Sequence, residues 1–236
     1  MKHRIFYSTV LLVVSINLLW LSLRGSYYSV FCWPAISFLL VSIAYCFDEV
    51  RIFGKQSNGS RRCLATVILL PYLIFARLIW LLQILISSEP AYSTINDSLI
   101  ISRRLRAWEL PQDVTHICDL TCEFLDPLKF RENYSYICYP ILDARAVDPD
   151  QLMKFAISLV PAQNGKLLIH CANGHGRTAM FAAIWLLVHF KTNSSEEAIE
   201  ILKASRPAIR LKPIQKKVVD QTFHMTHSST TSYQNE

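Results

Sequence analysis

The chain has 236 residues, 52% of them hydrophobic and 18% charged, with a net charge of +6. That apolar content excludes a disordered chain. The whole positive excess lies in residues 1–88 and the rest balances to zero, so the basic character points to anionic lipid and membrane insertion rather than to nucleic acid.

In chain order, residues 5–23 form a first apolar span behind Lys2 and Arg4. Its length, and the lack of a small-x-small cleavage site before Arg24, argue against a signal peptide. Residues 27–47 form a second span with Tyr27, Tyr28, Trp33 and Tyr45 as interfacial aromatics. The tight connection Arg24-Gly25-Ser26 makes the two a hairpin. A polar loop over 48–62 carries Arg51, Lys55, Arg61 and Arg62. Residues 64–86 form a third segment, interrupted by Pro71 and by Arg77, which is placed to snorkel to the interface. The positive-inside rule puts the N-terminus and the 48–62 loop in the cytoplasm. Three complete spans put the rest of the chain outside. A re-entrant or surface-lying 64–86 returns it to the cytoplasm, where thiols stay reduced.

Residues 1–88 are therefore expected to be a membrane domain. Residues 89–224 are expected to be one α/β domain with a central, mainly parallel sheet flanked by helices, and 225–236 a disordered polar tail. After a linker over 89–97, strands are predicted at 98–104, 114–120, 134–142 and 166–170. Asp148-Pro149-Asp150 reads as a helix start, with an N-cap and Pro at N1. Further helices follow from Arg177, from about 195 to 205, and over about 212–223. Cys32, Cys46, Cys63, Cys118, Cys122 and Cys138 read as small buried hydrophobes, with neither a disulfide framework nor zinc spacing.

The remaining cysteine sits in the most informative stretch, His170-Cys171-Ala172-Asn173-Gly174-His175-Gly176-Arg177-Thr178. An apolar strand precedes it and an apolar helix follows. Gly174 and Gly176 permit a backbone curl that turns successive N–H groups inward. Such a nest, capped by a helix N-terminus, binds anions and favours the thiolate of Cys171, its nucleophilic form. Arg177 offers a planar fork for two phosphoryl oxygens.

This stretch resembles the signature loop of the cysteine-dependent protein tyrosine phosphatases of the dual-specificity type. Similar segments extend the resemblance over about 92–222: 119–124, 140–143, 149–152, and 196–199 through Arg206-Pro207. The pattern looks like the small membrane-anchored bacterial enzymes and, more loosely, the mitochondrial phosphatidylglycerophosphate phosphatase. The loop lacks the lysines of some phosphoinositide phosphatases. The resemblance implies a two-step, metal-free and cofactor-free reaction. Cys171 attacks phosphorus, Arg177 and the amides of 172–177 hold the phosphoryl oxygens, and a carboxylic acid protonates the leaving group. Asp143 is the expected acid, with Asp148 and Asp150 as rivals. His170 is expected to steady the loop, Thr178 to hydrogen-bond the sulfur, and His175 to face substrate.

The expected function is thus a membrane-anchored phosphatase, in a bacterial cytoplasmic membrane, acting on phosphorylated protein at tyrosine, serine or threonine. A phospholipid phosphatase is the alternative, and an inactive phosphate-binding module a second. The expected partners are substrate and bilayer, without nucleic acid.

Overall fold

The computed structural model describes residues 2–145, 147–161, 165–190 and 192–232. It divides into two units. The first is Met1–Glu89 with Thr121–Leu125, and the second is Pro90–Leu120 with Asp126–Glu236.

The first unit holds α1 (Lys2–Ser22), α2 (Cys32–Phe47) and α3 (Cys63–Ile86). Three stretches here are long and apolar enough to cross a membrane. α2 packs against both α1 and α3. Between helices that lie in lipid the hydrophobic drive is lost, and small side chains and hydrogen bonds do the joining. Ser42 Oγ donates to the Ser8 carbonyl at 2.8 Å, and Ser15 Oγ to the Ala35 carbonyl at 2.8 Å.

The third segment is one helix, and α3 runs through Pro71. Proline lacks the N–H that would close on the carbonyl four residues earlier, which is that of Val67. The Trp33 indole Nε1 donates to that carbonyl at 3.1 Å. The next N–H, that of Tyr72, donates to Ser37 Oγ at 3.2 Å. Arg77 lies exposed with its guanidinium 5.8 Å from the Trp80 ring centre. In the 48–62 loop, Lys55 Nζ donates to the Thr121 carbonyl at 2.8 Å, and Arg61 Nη2 to the Cys122 carbonyl at 2.8 Å. Two residues read as topology signals thus also anchor the 121–125 segment.

The second unit is built on a five-stranded sheet: β1 (Tyr92–Thr94), β2 (Leu99–Arg103), β3 (Val114–Thr121), β4 (Ser135–Ile141) and β5 (Lys166–Cys171). The spatial order is β1-β2-β5-β3-β4. β5 lies in the middle, parallel to β2 and β3, and β1 pairs antiparallel with β2. Strand alternation splits the core in two. Leu99, Ile101, Cys118, Leu120, Ile169 and Cys171 share one cluster, and Ile100, Ile117 and Leu168 another with Phe130. Phe130 comes from α4 (Leu128–Asn133). The larger cluster takes in α5 (Pro149–Ser158), α6 (Gly176–Phe190), α7 (Ser195–Ser205) and α8 (Pro213–Ser232). α6 is buried at every position from Arg177 to Leu187, which is why its sequence reads as continuously apolar.

Three expectations differ. The 89–97 linker contains β1, whose three residues are too few for a pattern. α4, only six residues long, lies where no element was expected. The disordered tail is replaced by helix as far as Ser232, with 233–236 outside the described residues. α8 buries Val218, Val219 and Thr222, and a helix nucleated by packing extends at little cost.

Candidate active site

β5 ends at Cys171 and α6 begins at Gly176, so 172–175 form the turn between them. Gly174 has φ +73°, and a Cβ there would lie 2.6 Å from the Ser102 carbonyl carbon and oxygen. Only glycine fits this close crossing of β2. The Gly174 N–H points back and donates to Cys171 Sγ at 3.3 Å. The sulfur is buried with its residue, 3% exposed.

Arg177 occupies the first turn of α6 and is 1% exposed. Its Nη1 donates to the Ile141 carbonyl at 2.9 Å, and its Nε lies 3.4 Å from Asp143 Oδ1. The guanidinium is thus tied to the end of β4 and to the turn that follows. Asp143 heads that turn, with Ala144 in the left-handed region at φ 55°. The rival acids have other partners: Asp148 Oδ1 accepts the Gln151 N–H and caps α5, and Asp150 pairs with Lys154 at 2.6 Å. Thr178 is fully buried, and its hydroxyl has no hydrogen-bond partner among the described residues. His175 is half-buried in the turn. His170 is buried, with Nε2 2.8 Å from Asp126 Oδ2.

A buried sulfur receiving an amide N–H at the foot of a helix, beside a buried guanidinium and an acid, can form and break a bond to a phosphoryl group. Residues 108–222 match the family described as Dual specificity phosphatase, catalytic domain. Residues 108–222 thus form a dual-specificity phosphatase domain.

The chain is a cysteine-based phosphatase, a phosphoric monoester hydrolase. Its fold is similar to that of Tk-PTP in a mutant form, with a TM-score of 0.51 and 24% identity over 58% of this chain and 97% of that one. PTPMT1 in complex with PI(5)P matches with a TM-score of 0.48 and 19% identity, over 59% of this chain and 99% of that one. Human DUSP28 matches with a TM-score of 0.48 and 18% identity, over 59% and 97%. No curated protein matches the sequence.

Residues with no role assigned in the sequence reading brace this turn. Arg206, buried at 3% exposure, donates through Nη2 to the Asn173 carbonyl at 3.3 Å and through Nη1 to the Pro90 carbonyl at 2.9 Å. In the sequence it reads only as the end of a helix before Pro207. Gln215 Nε2 donates to the Arg145 carbonyl at 3.2 Å, and its Oε1 accepts the Lys212 N–H. A Cβ on Gly176 would come within 3.0 Å of that Oε1, so Gly176 leaves room for Gln215. The Arg104 N–H donates to the Ala172 carbonyl at 3.1 Å. The Ala172 and Asn173 carbonyls are thereby engaged by Arg104 and Arg206, while the Gly174 N–H is directed at the sulfur.

Asp119 lies on β3, fully buried, and accepts the Tyr136 hydroxyl at 2.7 Å. That hydroxyl is also 3.3 Å from Asp126 Oδ2, and Arg104 Nε is 3.4 Å from Asp126 Oδ1. Asp119, Asp126 and His170 are close enough to share a cation. The Tyr136 hydroxyl already donates to Asp119, and the Arg104 guanidinium lies against Asp126, so the group reads as a charge network. An aspartate inside an apolar strand was the available sequence signal. Arg103 holds Glu109 through Nη2 at 2.7 Å and Nη1 at 3.1 Å. Burial pushes the Glu109 carboxyl up, but the Arg103 fork and the Arg106 N–H outweigh it and hold the carboxyl below its ordinary range.

Proposed function

We propose that this chain is a membrane-anchored phosphatase that hydrolyses phosphomonoesters through a phosphocysteine. The observation that carries the reading is the Gly174 N–H directed at Cys171 Sγ at the start of α6, with Arg177 buried beside the turn. In this reading the Cys171 sulfur attacks phosphorus in line with the ester oxygen. The P–O bond breaks as Asp143 gives its proton to the departing oxygen. Arg177 and the turn amides take the charge spread over the equatorial oxygens. Asp143, now a carboxylate, removes a proton from water, which attacks the phosphocysteine and releases phosphate and the thiolate. Thr178, with its buried hydroxyl, donates to the sulfur as it leaves.

The favoured substrates are phosphorylated tyrosine, serine or threonine side chains, a reading supported by the match of residues 108–222 to a dual-specificity phosphatase catalytic domain. A phospholipid monoester is the second reading. It is favoured by the short connector between α3 and β1, which is residues 87–91 and follows directly on an apolar helix. The test is the full chain, purified in detergent, assayed side by side on a phosphotyrosine peptide and on phosphatidylglycerophosphate. Cys171→Ser is expected to abolish turnover on both. Persistent turnover in that variant defeats the nucleophile assignment, and a strong preference for one ester assigns the substrate class.

A further inference from the structure

The Asp143 side chain is more than half exposed, so its reach depends on the backbone that carries it. That backbone is the turn 142–145, closed by the Arg145 N–H donating to the Leu142 carbonyl at 3.3 Å. Ala144 sits in it at φ 55°, a conformation that a side chain disfavours and that surrounding contacts must hold. Arg177 holds the entry to the turn, donating to the Ile141 carbonyl. Gln215 holds the exit: its Nε2 donates to the Arg145 carbonyl at 3.2 Å.

Gln215 is itself fixed. It lies in the first turn of α8 and is 1% exposed. Its N–H donates to the Lys212 carbonyl at 2.9 Å, and its Oε1 accepts the Lys212 N–H at 3.0 Å. A glutamine at the third helical position that closes on the capping residue in this way loses its side-chain freedom. Gly176 lies against the same amide: a Cβ there would stand 3.0 Å from Oε1 and 3.2 Å from Nε2. Gly176 opens α6 directly before Arg177. One buried amide therefore spans the gap between the turn that carries the acid and the helix start that carries the phosphoryl clamp. We propose that Gln215 is a positioning residue for the proton transfer, which sets the Asp143 turn at its working distance from the start of α6 and so aims the acid at the departing ester oxygen. The proton passes from Asp143 to that oxygen as the P–O bond breaks, and Gln215 exchanges none. The inference rests on Asp143 being the acid.

The experiment uses the full chain in detergent and reads kcat/KM, which reports the transfer to Cys171 alone, on an alkyl phosphate and on p-nitrophenyl phosphate. Gln215→Met keeps the length of the side chain and removes its donor. On the alkyl phosphate it is expected to lose about 10- to 100-fold, as a displaced catalytic group does. On p-nitrophenyl phosphate, which leaves without a proton, it should change little. In the Asp143→Asn background the same change should cost nothing further on the alkyl ester, because both variants disable one event. Equal losses on the two esters, or a full loss in the Asp143→Asn background, overturn the proposal. A lower Tm with an unchanged ratio between the esters overturns it too and leaves Gln215 a purely structural brace. Should Gln215→Met not fold, Gln215→Glu keeps the acceptor for the Lys212 N–H, loses the donor to Arg145, and is read in the same way. Asp143→Asn by itself tests the reading beneath: if that variant loses equally on both esters, the acid is another residue and the assignment of Gln215 falls with it.

Discussion

The Nε of Arg177 lies 3.4 Å from Oδ1 of Asp143, although the first side chain is 1% exposed and the second 55%. One residue is fixed by α6 and the other rides on a surface turn. The contact brings the proposed proton donor to the proposed phosphoryl clamp before substrate arrives. It also gives Asp143 a cation to lean on when it must be an anion, in the second step.

Asp143→Asn is accordingly expected to act by leaving group. On alkyl phosphates, whose departing oxygen needs a proton, kcat should fall by about 10²–10⁴. On p-nitrophenyl phosphate, whose leaving group is already a weak base, the fall should be much smaller. Steady-state kinetics on the two ester classes check this. An equal loss on both would assign the proton to another donor.

Gly174→Ala is expected to disable the loop. The residue has φ +73°, and the new Cβ would meet the Ser102 carbonyl at 2.6 Å. The neighbour is strand backbone in register with β5, so it has no room to yield. The left-handed conformation alone costs about 1 kcal/mol, and the clash adds to it. Thermal unfolding should show the loss. Phosphate protection of Cys171 against alkylation should vanish with it, because the displaced amide is the one that faces the sulfur.

The Arg103–Glu109 pair gives a stability that depends on pH in a definite sense. The Glu109 carboxyl is held below its ordinary value of 4.5. A depressed carboxyl contributes stability above its unfolded value, and the contribution disappears as pH falls through the folded one. Glu109→Gln should therefore lower Tm at neutral pH. Wild type and variant should converge in strongly acidic buffer. A gap that persists there would trace the loss to packing instead of charge.

The catalytic turn was legible because its chemistry forces a local pattern. The glycines, the arginine and the strand–helix junction all fall within residues 166–178. The parallel sheet was legible from apolar runs broken by capped helices, such as the one that Asp148 opens. β1 and α4 were not, because three and six residues carry no period. The charge network behind His170 was out of reach for a different reason. Its members sit at 104, 119, 126, 136 and 170, and only the sheet order places β3 beside β5 and β4 beside β3. Arg103 is committed to Glu109 and Arg104 to Asp126, which sequence separation could not reveal.

Pro71 and Trp33 offer a test in the N-terminal unit. The indole N–H of Trp33 fills the gap that the proline leaves at the Val67 carbonyl. Trp33→Phe keeps an aromatic ring and removes the donor, and should destabilise the unit by about 0.6–2 kcal/mol, as interhelical hydrogen bonds in lipid do. Pro71→Ala restores a backbone N–H four residues after Val67, so the carbonyl regains an in-helix partner. In that background the same Trp33→Phe change should cost little. Unfolding of the four proteins in detergent measures the coupling. Equal costs in both backgrounds would mean that Trp33 contributes by packing alone, and that the Val67 carbonyl is satisfied in some other way.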